Sequence, residues 1–433
     1  MDYQLYSPEN YGIKSENIEN FINALSYCCE TREIHSFMIT RNGNLLAEGY
    51  NVPYRSDTEH DIFSGSKAFA AMAIGFAIDE KLIDLNDKVF EYFIDLVPDD
   101  ADCRIKEITV KNLLTMTVGQ AGDPVHCATQ SENDNWLYNF FRREFVVDPG
   151  KEFRYDGFAT YMLSALINRV SGEDMFCYLK PRLFDPMDMK VPYHIKDKYG
   201  ICVGYTGMKL SIHDFVKIGQ LFLDGGRYKG KQILPEGWVE LATSKHIDTP
   251  NTTTGKDWNQ GYCFQMWRGR YNTYRFCGAY GQMCVVIPDF NMVFAVQSGC
   301  DNNKIHTILE DFYENILFKI NKPLFKGGSY ELNGYFDQLI IEYADETRCF
   351  LHLHGKENLK LPCGICKGIL SEPVFTDLVA VNPQGSKRCL YSELRGISND
   401  NFCISIKITG TPSAIFIRVV DGKGEIEYKR CKV

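Results

Sequence analysis

No apolar run in the chain is long enough to cross a membrane. The longest, Ala68 to Ile78 (AFAAMAIGFAI), falls well short of the roughly 20 residues a spanning helix needs. Positive charge is also in short supply. Lys and Arg number 47 against 56 Asp and Glu, a formal charge of −9, and no dense cationic run is present. A surface of that sign attracts neither nucleic acid nor anionic lipid, so neither partner is expected. The amino terminus, MDYQLYSPENYG, lacks the basic and apolar segments of a secretory leader, which points to a cytoplasmic protein. No internal repeat or low-complexity tract interrupts the sequence.

Cysteine, by contrast, is plentiful. Sixteen are scattered from Cys28 to Cys431. Without an export signal they read as free thiols, because disulfide frameworks belong to small secreted domains. Cys363-Gly-Ile-Cys366 has ligand-like spacing, with His352 and His354 upstream on one face of a strand-like segment. A single such pair is weak evidence for zinc, and packed thiols are the preferred reading. No metal or cofactor is expected. Of the nine histidines, His60 sits where it can orient a loop, and His126 and His213 read as structural.

The 433 residues, 45% of them apolar, suit two or three globular domains. Residues 1–33 read as helical. HSFMITRNGNLLAEGY then predicts a hairpin turning at Asn42-Gly43, since both residues tolerate positive φ. Helices are expected after Ser64, over Val110–Met116, Trp136–Phe145 and Thr160–Val170, and from Ser211, a natural N-cap, to Leu223. Strands are expected from Gly261 onward, then a helix over Ile305–Ile320. Strands at both ends imply a sheet closed by distant segments. Asn321–Gly328 reads as a linker. The expected domains are 1–322, an α+β unit, and 328–433, all-β, with a hairpin at Asp421-Gly422.

The strongest chemical signal is Ser64-Gly65-Ser66-Lys67. Residues three apart share a helix face, so Lys67 Nζ can reach Ser64 Oγ. A helix amino terminus favours developing negative charge, and burial lowers a lysine pKa enough to make it a base. Eleven apolar or glycine residues follow Lys67, so this amine needs partners rather than solvent. Ser66 lacks a lysine three residues on.

FSGSKAFAAMAIGFAIDEKLIDLNDKV resembles the active-site helix of the serine β-lactamase and penicillin-binding-protein superfamily, especially its class C-like branch. Four further segments resemble that family in the same order: ITVKNLLTMTVG, PGKEFRYDGFATYMLSALINRVSG, GMKLSIHDFVKIGQLFLDGGRYKGKQILPEGWV and GYCFQMWRGRYNTYRFCGAYGQMCVVIPDFNMVFAVQS. Together they span roughly residues 35–320. The resemblance implies an antiparallel sheet flanked by helices, with a helical lobe across the cleft. It also implies that Tyr155 is the tyrosine of the Tyr-x-Asn motif and shares proton transfer with Lys67. The asparagine position holds Gly157, after Asp156.

The third motif, normally Lys-Thr-Gly or His-Thr-Gly, aligns with Phe276-Cys277-Gly278-Ala279. The glycine is kept; the cation and hydroxyl are not. The resemblance places substrate beside Gly157, Phe276, Cys277 and Gly278. Backbone N–H groups of Ser64 and Ala279 would form the oxyanion hole. Arg275 or Arg270 would be the replacement cation, against the plainer reading of an outward-facing strand arginine. Cys277 is expected to be an ordinary thiol.

The expectation is a serine hydrolase acting through an acyl-enzyme on a small ester or amide, esterase-like for want of a carboxylate-binding lysine. β-Lactamase and D-amino-acid amidase or peptidase are the rivals within the fold. Outside it stands an inactive scaffold, which the Asn and Lys-Thr losses would suit. Substrate identity, oligomeric state and the role of the carboxy-terminal domain are left open by the sequence.

Overall fold

The computed structural model describes residues 4–26, 31–121, 135–249 and 255–320, and beyond them the backbone of strands between Ser329 and Arg430. The chain divides into two units: essentially Glu16–Phe318, and Lys319–Val433 with the short segment Ser7–Ser15. The first unit begins with α1 (Ser15–Ser26), β1 (Arg32–Arg41) and β2 (Asn44–Tyr50). Next come α2 (Lys67–Asp79), α3 (Val110–Leu114), α4 (Trp136–Arg142), α5 (Gly157–Ser171) and α6 (Ile212–Leu223). It closes with β3 (Trp267–Arg268), β4 (Tyr274–Gly278), β5 (Gln282–Ile287), β6 (Met292–Cys300) and α7 (Ile305–Asn315).

Six antiparallel strands form one sheet in the order β2-β1-β6-β5-β4-β3. The amino-terminal hairpin turns at Asn42 (φ 55°) and Gly43 (φ 76°). It pairs with the end of the unit through β1 and β6, Phe37 opposite Val296 and Ile39 opposite Phe294. Apolar residues on successive positions of β5 and β6 are buried on both faces, because helices cover both. On one face Phe21 of α1 meets Phe37 and Phe294, and Phe312 of α7 stacks on Phe294 at 4.3 Å. On the other, Phe215 and Phe222 of α6 pack on Phe276. α6 approaches closely because Gly219 carries no side chain; a Cβ there would lie 2.5 Å from Cys284 Sγ.

Two expected elements differ. Residues 1–33 hold only α1 and a 3₁₀ turn at Pro8–Tyr11, ended by Gly12 at φ 72°, and β1 already begins at Arg32. The segment from Gly261 becomes a strand only at Trp267. Its Gln265 instead donates backbone N–H to Leu114 O and side-chain Nε2 to Leu113 O, capping the end of α3 rather than a neighbouring strand. The helix from Ser211 starts as its cap chemistry dictates, with Ser211 Oγ accepting from Asp214 N at 3.1 Å.

In the second unit, nine strands between Ser329 and Arg430 share one hydrogen-bonded sheet. The linker at 321–328, the Asp421-Gly422 turn, Cys366 and His126 lie outside the described residues, as do the side chains of Cys363, His352 and His354. Among the described residues no helix is long and apolar enough to cross a membrane, and no cluster of metal-ligating side chains forms. Seven described cysteines are free thiols.

Candidate active site

Ser64 lies in a 3₁₀ turn, Phe63–Ser66, that runs into α2 with Lys67 as its first residue. The serine is therefore one turn before the α-helix rather than at its cap. Ile62 N donates to Met208 O and Gly65 N to Ile62 O. Phe63 takes φ 46°, an unfavourable conformation for a bulky side chain. Ser66 is turned inward, 1% exposed, and its Oγ donates to Phe63 O at 2.6 Å. That leaves Ser64 as the hydroxyl facing the cleft.

Every residue of α2 from Lys67 to Ala77 is buried. Lys67 itself is 2% exposed. Its Nζ donates to Ser64 Oγ at 2.8 Å and to the Tyr205 carbonyl at 3.1 Å. It also lies over two aromatic rings, 4.8 Å from the centroid of Tyr155 and 5.5 Å from that of Tyr205. Ring faces favour a cation and offset the cost of burying it.

The Tyr155 hydroxyl lies near enough to Ser64 to interact with it. Burial of that hydroxyl pushes its pKa well above the phenol range, and the interaction with Ser64 only partly opposes this. The shift favours the neutral phenol, a form that can donate a proton. The residue is 41% exposed, and its ring stacks on Trp267 beside Phe153 and Tyr262. The adjacent Asp156 is buried against Arg143 at 2.6 Å and caps α5 by accepting from Phe158 N at 2.8 Å. Both contacts fix the direction in which Tyr155 leaves the helix.

β4 ends directly against the nucleophile turn. A Cβ on Gly278 would lie 2.1 Å from Ile62 O, so this glycine is needed for the approach of two backbones. The turn after it, Ala279–Gly281, has Tyr280 at φ 61°. It is held by Gln282 Nε2 donating to the carbonyls of Ala279 and Ser298, by Ser298 Oγ donating to Tyr280 O, and by Tyr280 N donating to Asn302 Oδ1. The Tyr280 ring meets Phe63 edge-on.

Two expected substrate-binding residues, Phe276 and Arg275, are placed differently. Phe276 is 1% exposed and packs on α6, because alternation along β4 turns it to the face opposite Cys277. Gly157 is buried, with the Tyr205 ring packed against it. Arg275 is fully buried and is neither an outward strand residue nor an open cation. Its guanidinium donates to the carbonyls of Asp257 and Arg268 and covers Trp258 at 4.3 Å. Arg270 is committed to Asp257 and Glu310. Cys277 is partly exposed; burial raises its thiol pKa, with Arg275 and Lys67 opposing. It is a protonated thiol, not a competing nucleophile.

The Beta-lactamase family model matches residues 35–309. The chain belongs to that family. It is 26% identical over 225 residues, 47% of its length, to a 6-aminohexanoate-dimer hydrolase of Paenarthrobacter ureafaciens, and the match spans 56% of that relative. An octameric penicillin-binding protein homologue from Pyrococcus abyssi has the same fold, with TM-score 0.54, 18% identity, and coverage of 96% of this chain and 98% of that one. So does a D-stereospecific amidohydrolase from Streptomyces sp., with TM-score 0.52, 15% identity, and coverage of 67% and 97%.

Within this family's site, sequence reasoning missed Tyr205, Arg143 and Asp257. Tyr205 contributes a backbone oxygen, which leaves no trace in residue type. A faint signal was present in its flanking glycines, Gly204 and Gly207, both at positive φ (72° and 75°). His60, expected to orient the loop, shares a hydrogen bond with His35 at 2.7 Å and another with Asp61 O. His213 meets Glu48 at 3.0 Å.

Proposed function

We propose that this protein hydrolyses a small, neutral ester or amide through an acyl-enzyme on Ser64. The observation that carries the reading is the 2.8 Å contact between the buried Lys67 amine and Ser64 Oγ, with Tyr155 beside the same serine. Lys67, uncharged when it acts, accepts the Ser64 proton as Oγ attacks the carbonyl carbon. The backbone N–H groups of Ser64 and Ala279 receive the negative oxygen. Tyr155, held neutral, gives its proton to the leaving group, and the Lys67 ammonium restores it. Water then attacks the acyl carbon by the same relay in reverse.

Neutral substrates are favoured because Arg275 and Arg270 are occupied within the fold. A substrate carboxylate would forgo a charge-assisted contact worth about 1.5–3 kcal/mol, roughly ten- to a hundredfold in binding. Amides stay within the reading because the Paenarthrobacter relative is named for hydrolysing 6-aminohexanoate dimer. Sixteen cysteines, of which seven described are free, support an intracellular setting, and the charge of −9 disfavours nucleic-acid and anionic-membrane partners. The strands from Ser329 onward are read as a separate all-β domain.

The test is a side-by-side assay of p-nitrophenyl acetate, D-amino-acid amides and nitrocefin, with fluorophosphonate labelling mapped by mass spectrometry. Label on Ser64 and faster turnover of neutral substrates are expected. Nitrocefin turnover above that of p-nitrophenyl acetate would make it a β-lactamase; no label on Ser64 would leave the scaffold reading.

A further inference from the structure

Resting on the reading of Ser64 as nucleophile and Lys67 as its base, we propose that Tyr205 and Gly157 are a matched pair standing in for the missing second-motif amide. The Tyr205 carbonyl holds the Lys67 amine, and the Tyr205 ring fills the volume a side chain at 157 would need. Tyr205 is a positioning residue; it acts through Lys67.

Five observations converge. Lys67 Nζ donates to Tyr205 O at 3.1 Å while donating to Ser64 Oγ at 2.8 Å, so this carbonyl helps set where the amine points. The Tyr205 ring also presents its face to that amine at 5.5 Å. A Cβ on Gly157 would lie 3.2 Å from two Tyr205 ring carbons. Gly157 is the first residue of α5, capped by Asp156, and is not among the glycines at positive φ. Its backbone therefore makes no demand for glycine, and the ring against it accounts for the missing side chain. Gly204 and Gly207, at positive φ on either side of Tyr205, bend the loop, and Tyr205 N is tied to Val203 O at 2.8 Å. A Cβ at 157 asks the ring to yield by a few tenths of an ångström and a longer side chain asks for more; on this proposal the shift is passed to the carbonyl that holds Lys67.

Specificity follows from the exchange. An amide side chain offers a substrate both a donor and an acceptor. A tyrosine ring on that side of the site offers an apolar wall, in keeping with a neutral substrate.

The experiment is a double-mutant cycle on the full chain. It compares wild type, Gly157→Asn, Tyr205→Ala and the double variant, with Tyr205→Phe as the conservative control. The readout is the second-order rate of Ser64 labelling by a fluorophosphonate as a function of pH, with thermal melts alongside. Gly157→Asn is expected to lose about a hundredfold and Tyr205→Ala about tenfold. The double variant should regain about tenfold over Gly157→Asn, a coupling of the size found for residues in contact. Tyr205→Phe keeps ring and carbonyl and should label near the wild-type rate. The acid limb of the pH profile should move down in Gly157→Asn and return in the double variant, because the carbonyl favours the Lys67 ammonium; a general loss of stability would not move it.

Wild-type labelling by Gly157→Asn, or multiplicative losses in the double variant, would overturn the proposal. If Gly157→Asn does not fold, Gly157→Ala, which asks the ring to yield by only a few tenths of an ångström, carries the same cycle. A wild-type protein labelled elsewhere than Ser64 would overturn the hydrolase reading, and this inference with it.

Discussion

Ser64 and Ser66 stand two positions apart and have opposite fates. Ser66 Oγ is spent on Phe63 O, while Ser64 Oγ lies between an amine and a phenol. Ser64→Ala should abolish both turnover and fluorophosphonate labelling. Ser66→Ala should keep a measurable fraction of both and lower stability by about 1–3 kcal/mol, the cost of leaving a buried carbonyl unpaired; equilibrium urea unfolding measures it. Because burial raises the Tyr155 pKa, its ionisation falls above pH 10 and cannot shape the neutral range. Tyr155→Phe should therefore lower kcat by about 10²–10⁴, the usual weight of a proton-transfer group, and leave the midpoint of the acid limb where it was. A limb that disappeared with Tyr155 would assign it the base role instead.

At the level of elements, the site depends on close approaches of backbone. β4 meets the nucleophile turn with a carbonyl 2.1 Å from where a Gly278 Cβ would be. Both sides of that contact are main chain, so nothing flexible can yield. Gly278→Ala should cost about 1–3 kcal/mol in stability, as overpacking does, and depress Ser64 labelling beyond that loss. The junction between β1 and the nucleophile turn carries a titration. His35 and His60 share a 2.7 Å hydrogen bond. Burial is the main cause of the lowered pKa of each; for His35 the facing His60 adds to it and Glu33 opposes, and for His60 Lys209 adds and Asp61 opposes. A histidine with a depressed folded-state pKa contributes stability above its unfolded value, near 6.5, and loses it as pH falls through the folded value. The melting temperature should fall between pH 7 and pH 5, and His60→Gln should flatten that fall.

Across the whole molecule, the site is assembled from segments far apart in sequence: 62–67, 155–157, 205 and 277–279. It can exist only while the first unit is folded. All four tryptophans, Trp136, Trp238, Trp258 and Trp267, belong to that unit, so their fluorescence reports it alone. In urea, tryptophan fluorescence and Ser64 labelling should fall with one midpoint. Far-UV circular dichroism should contain a further transition from the strands after Ser329. Full coincidence of all three signals would argue against a separate all-β domain.

What the sequence determined by itself was local. The Asn42-Gly43 turn needs residues that accept positive φ. The Ser211 cap needs a hydroxyl before an apolar period. The Ser64–Lys67 pairing follows from residues three apart on a helical face, and the apolar run behind Lys67 announced a buried helix. The linker at 321–328 and the His352–Cys366 region lie outside what the structure can compare. Tertiary structure decided everything that depends on a partner from elsewhere in the chain. Arg275 looks like a spare cation in sequence, yet the carbonyls of Asp257 and Arg268 and the Trp258 ring take it out of reach. Gly157 looks like a lost asparagine, and the Tyr205 ring packs against it from a distant stretch of the chain. A backbone carbonyl is common to every residue type, so sequence carries no mark of where it will point; only the fold brings this one to Lys67.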